Sequence, residues 1–99
     1  MSAVAPATLG RRVVCRVLSV GSALGRPDPA CSYGHRPGEE YEIGETCPPG
    51  LCSWAFNALY PFATALRFGG SLPWEDVPGR ALVSCPDPAS TVVFELRVE

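Results

Sequence analysis

Residues 51–70 read LCSWAFNALYPFATALRFGG. Within them Leu51, Ala55, Ala58, Leu59, Phe62, Ala63 and Leu66 recur at helical spacing, the apolar stripe of a helix laid on a core. Gly69-Gly70 supplies a left-handed end to that helix. Pro61 has no backbone N–H to donate and predicts a kink near the middle. No other stretch carries this period, so the rest of the chain must be arranged around a single substantial helix.

On either side the periodicity changes from helical to that of strands. Residues 12–20 are rich in Val and Leu, with Val13, Cys15 and Val17 on one face and Val14, Leu18 and Val20 on the other; this is the pattern of a strand covered on both sides. Residues 39–43 alternate acidic groups with Tyr41 and Ile43, as a short strand with one wet face does. Beyond the helix, residues 81–85 read as a strand stopped by Pro86-Asp87-Pro88. Val92, Phe94, Leu96 and Val98 then alternate with polar or charged neighbours, the clearest strand of the chain. The order ββαββ predicts an α+β fold, a small, mainly antiparallel sheet packed against one kinked helix. Residues 1–10 lack periodicity and are expected to form a flexible arm, leaving residues 11–99 as one domain.

Composition narrows the function. With 99 residues, 46% hydrophobic and 18% charged, the chain carries enough apolar material for one core. No run approaches the roughly 18 apolar residues of a membrane span, and the first residues lack the basic start of a signal peptide. The five cysteines are therefore read against a reducing cytosol, as thiols and not as a disulfide framework. A net charge of −2 argues against nucleic acid as a partner. All eight basic residues are Arg, which removes lysine Schiff-base chemistry. The composition is compatible with a small-molecule ligand and with a homo-oligomer.

Chemistry is concentrated in four residues. Cys31 and the single histidine, His35, share a Gly- and Pro-rich loop; Cys52 opens the helix; Cys85 ends a strand. Sites are commonly built at such element boundaries. Three thiolates and an imidazole form a tetrahedral set for zinc, and sulfur also suits iron or copper(I), so the first reading is a Cys31, His35, Cys52, Cys85 metal site. The paired Cys-x-x-Cys knuckles of zinc ribbons are absent. The second reading is a cofactor-independent enzyme of isomerase, lyase or cyclase type. There Cys52 would be the thiolate, favoured by a helix N-terminus, and His35 the base, with Glu39 or Asp87 as proton partners. The third is a protein-binding accessory module presenting Trp54 or Trp74. Cys15 is expected to be an ordinary core thiol, Trp54, Phe56, Tyr60 and Phe62 to pack the helix, and Trp74 to cap the core edge. Glu39, Glu40, Glu42 and Glu45 are expected on a solvated face. Arg67 is expected to face the helix C-terminal dipole, or else to clamp an anion.

Cys31-Ser32-Tyr33-Gly34-His35 with Gly38, Gly50-Leu51-Cys52, Leu59-Tyr60-Pro61, Leu66-Arg67-Phe68-Gly69-Gly70, Pro73-Trp74 and Cys85-Pro86-Asp87 together resemble a family of small uncharacterised bacterial and archaeal proteins. Its members carry Cys-x-x-Gly-His-x-x-Gly-Asp, Gly-Leu-Cys-Pro and a late Cys-Pro-Asp. Glu39 stands here where that family has Asp and Ser53 where it has Pro, while Cys15 and Cys47 lie outside its motifs. The resemblance implies that Cys31, His35, Cys52 and Cys85 are the shared set, and it implies no reaction. An Arg-, Ala- and Pro-rich chain without Lys points to a GC-rich genome and, through it, to specialised metabolism.

Overall fold

The computed structural model describes residues 9–99. Four strands, β1 (Val13–Gly21), β2 (Glu40–Glu42), β3 (Arg80–Ser84) and β4 (Thr91–Val98), form one antiparallel sheet in the order β2-β1-β4-β3. The single helix, α1 (Ser53–Arg67), lies between β2 and β3 in the chain and packs on one face of the sheet. This is the α+β, ββαββ arrangement expected from the hydrophobic periods. The core is the layer between the two elements. Ala55, Leu59, Ala63 and Leu66 come from α1, and Val13, Cys15, Val17, Ala81, Val83, Phe94 and Leu96 come from the sheet. Alanines at two of the four helix positions let the backbone approach the sheet closely.

β1 departs from expectation for an identifiable reason. Val17 pairs with Phe94 but Ser19 pairs with Val93, so Leu18 is an extra residue, a bulge. Since side chains alternate with period two, one inserted residue exchanges the faces. Val13, Cys15 and Val17 point inward before it and Val20 packs on the core after it, whereas Arg16 and Leu18 are exposed. Apolar residues in both phases thus mark a one-sided strand with a bulge, and not a strand covered twice.

The helix runs unbroken through Pro61, which lies on its exposed face. Its end follows a Schellman pattern. Gly70 N–H donates to Ala65 O at 2.8 Å, Gly69 N–H donates to Leu66 O at 3.2 Å, and Gly69 has φ of +85°. Arg67 is 1% exposed and does more than face the dipole. Its Nε and Nη2 donate to Leu9 O at 3.1 and 2.9 Å, and Nη2 also meets Glu45 Oε2 at 3.0 Å. Arg11 N–H donates to Arg67 O, so residues 9–11 are bound to the helix end. The remainder of the expected arm lies outside the described residues.

Candidate functional site

The loop between β1 and β2 returns to the sheet where Gly38 N–H donates to Val17 O. Its inner residue is His35, 5% exposed, with both ring nitrogens engaged. Nδ1 lies 2.8 Å from Glu39 Oε1, and the Cys52 amide donates to Nε2 at 3.1 Å. A carboxylate only accepts and an amide N–H only donates, which assigns the hydrogen to Nδ1 and the lone pair to Nε2. Tyr41 from β2 donates to the same Glu39 oxygen at 3.0 Å. The hydrogen bond from His35 holds the Glu39 carboxyl below its usual range, and burial with the neighbouring Glu39 charge pushes the Tyr41 phenol up to about 12. Tyr33 stacks on the imidazole at 5.1 Å, and Phe94 meets it edge-on at 6.2 Å.

His35 therefore anchors the helix entry. Cys52 is the N-cap of α1, and no side chain caps the first turn; its own amide is tied to the loop through His35. Cys85 follows β3 and is tied to β4. Its N–H donates to Val92 O at 2.9 Å, and Val92 N–H donates to its sulfur at 3.2 Å. The turn between them is closed by Asp87, whose Oδ1 accepts the amides of Ala89 and Ser90.

These three pieces, the 31–35 loop, the start of α1 and the 85–92 turn, surround a cavity of about 240 Å³. Cys31, His35, Cys52 and Cys85 all line it. Among the described residues no three His, Cys, Asp or Glu side chains are close enough together to hold a metal ion. The four residues share a cavity without forming a ligand cage. A metal on all four would also need His35 Nε2 to release the Cys52 amide. As placed, the imidazole lone pair is committed to the Cys52 amide.

The other two cysteines lie elsewhere. Cys15 is buried in the sheet face, and burial pushes its thiol up to about 12. Cys47 stands behind the helix entry with its thiol toward Leu51 O at 3.4 Å, and burial together with the nearby Cys52 raises its pKa. All five cysteines are free thiols.

Sequence reasoning missed several features of the site. Trp54, expected in packing, is 77% exposed and lines the cavity; Tyr60 is also exposed. Tyr33 stacks on His35, and of the two carboxylates expected as proton partners of His35, Glu39 is the one that bonds it, although it also belongs to the acidic run expected on a solvated face. Tyr41 gave one signal, its inward phase on β2 two residues from Glu39. Trp74 is 63% exposed and meets Phe62 edge-on at 6.1 Å. No family model, curated protein or solved structure matches the chain, so the site is read from its own chemistry. No helix among the described residues is long and apolar enough to cross a membrane.

Proposed function

We propose that the cavity binds a small organic molecule and that the Cys52 thiol reacts with it without a cofactor. The observation that carries this is the Cys52 amide bond to His35 Nε2 at 3.1 Å. It fixes a thiol-bearing residue on the wall of a mainly apolar cavity at the uncapped start of a helix. In this reading His35 is a positioning residue, since neither ring nitrogen is free to act as a base. The chemistry that fits is reversible addition to a conjugated carbonyl compound. Sulfur bonds to the β-carbon, the π pair shifts onto the carbonyl oxygen, and the thiol proton leaves to water. Rotation about the new single bond and expulsion of sulfur then isomerise the double bond with no net redox change. Peptide N–H groups of the first helical turn favour the charge that develops on oxygen or sulfur. Free thiols throughout are consistent with a reducing cytosol.

Incubation with α,β-unsaturated carbonyl probes followed by mass spectrometry tests the proposal. The adduct is expected on Cys52, abolished in Cys52→Ser and retained in Cys15→Ser and Cys47→Ser. Labelling spread evenly over Cys31, Cys47, Cys52 and Cys85 would refute it.

A second reading, zinc or iron held by Cys31, Cys52 and Cys85 with His35, is supported by the four side chains sharing one cavity. It requires His35 to exchange the Cys52 amide for the metal and the thiols to close in. Elemental analysis of protein purified without a tag decides it. Stoichiometric metal that is lost in Cys31→Ser and Cys85→Ser supports this reading, and folded, metal-free protein refutes it. The Cys31–His35, Gly50-Leu51-Cys52 and Cys85-Pro86-Asp87 segments supply three walls of this same cavity.

A further inference from the structure

The cavity has a graded lining. Its floor is buried: Ala55 and Val92 are 1% exposed and Phe94 is fully covered. Its mouth carries two aromatic rings from different elements, Tyr33 on the loop and Trp54 in the first turn of α1, 58% and 77% exposed. Tyr33 is held in orientation by its stack on His35. Trp54 has no aromatic partner among the described residues. A largely exposed indole at a cavity mouth leaves apolar area that a ligand would remove from water.

Charge at this site is of one sign. None of the thirteen lining residues is Arg, the chain has no Lys, and Asp87 is the one carboxylate among them. Asp87 gives Oδ1 to the turn amides, while Oδ2 has no partner among the described residues. Arg36, in the same loop, lines an adjoining depression that shares Cys31 and His35 with the cavity, but it is not among the residues that line the cavity itself. Size gives the last constraint. An apolar cavity of roughly 150 Å³ accommodates benzene, so the space of about 240 Å³ takes one or two rings.

We infer that this cavity selects a flat aromatic molecule of one or two rings that carries no negative charge, gripped by Tyr33 and Trp54 and screened by Asp87. The preference runs from cationic through neutral to anionic rings, because ring faces attract cations and the carboxylate repels anions. This deepens the proposed function and rests on the same cavity, but it concerns recognition and not the thiol step.

Three probes of one shape separate the two ideas: 2-naphthylmethylammonium, 2-naphthol and 2-naphthoate, none of them an electrophile. Binding to the whole protein is followed by calorimetry and tryptophan fluorescence. The amine and the naphthol are expected to bind, with the naphthoate at least about tenfold weaker. Trp54→Ala and Tyr33→Ala each weaken the naphthol by about tenfold, whereas Trp74→Ala leaves it unchanged. Asp87→Asn keeps an oxygen for the Ala89 and Ser90 amides, so the turn survives. In that variant naphthoate affinity should rise about fivefold with the naphthol unaffected. Equal affinity for all three probes, an equal effect of Trp54→Ala and Trp74→Ala, or no binding at all would overturn the inference. Charge-selective binding of these probes, with no Cys52 adduct from the α,β-unsaturated carbonyl probes, removes the thiol chemistry and supports this selectivity. A Cys52 adduct without charge discrimination does the opposite.

Discussion

Replacing His35 by Ala tests the anchor on which the site depends. The Cys52 amide would lose its acceptor in a half-buried position, at about 1–3 kcal/mol. The bond to Glu39 is discounted, because the carboxylate side chain is 35% exposed, leaving about 0.5–1 kcal/mol. Removing a buried ring stacked between Tyr33 and the edge of Phe94 adds about 1–2 kcal/mol. Together these predict a loss of about 2.5–6 kcal/mol, a large share of what holds a domain of this size folded. Urea unfolding monitored by circular dichroism measures it. His35→Gln returns an acceptor near the Nε2 position and should recover at least about 1 kcal/mol. Hydrogen exchange supplies the local readout, since the Cys52 amide should exchange faster in His35→Ala than in His35→Gln. A loss below about 1 kcal/mol, or a Cys52 amide equally protected in both variants, would refute the view that His35 holds the helix entry.

Arg67→Met removes two hydrogen bonds to Leu9 O and one to Glu45 from a buried guanidinium, and should cost about 2–4 kcal/mol in urea midpoint analysis; Arg67→Lys should not restore it, since one ammonium does not reproduce the fork. Glu39 has a folded-state pKa lowered from 4.5 by its bond to His35. The stability it contributes is present above about pH 4.5 and is lost as pH falls through the lowered value. Glu39→Gln should flatten that acid limb in unfolding measured from pH 7 to pH 3. Gly70→Ala places a Cβ 2.9 Å from Ala65 O at the close of the helix and should lower stability by about 1–2 kcal/mol, read by thermal unfolding. Cys15 should stay unlabelled by iodoacetamide at pH 8 in the folded protein, with its thiol buried and pushed up to about 12; labelling at the rate of the unfolded chain would contradict its place in the core.

Much of the fold was legible because it depends on local period. The 3.6-residue recurrence from Leu51 to Leu66 and the alternation from Val92 to Val98 each specify an element and its inner face, and Gly69-Gly70 specifies where the helix stops. What misled is also local. Val14, Leu18 and Val20 suggested a second covered face, but the bulge at Leu18 moves only Val20 to the inner phase, without leaving a mark in composition, while Val14 and Leu18 stay on the outer side.

By itself the sequence determined one helix, four strands and four chemically able residues at element boundaries. Only the tertiary structure decided their roles. It directed the His35 lone pair to the Cys52 amide, gave the imidazole hydrogen to Glu39, left Trp54 at the mouth of the cavity and buried Arg67 against Leu9. The physical reason is that periodicity encodes which face is buried, a property of neighbours in the chain. Hydrogen-bond partners of a single lone pair are settled by groups 17 or 58 residues away, whose approach depends on how the helix lies on the sheet.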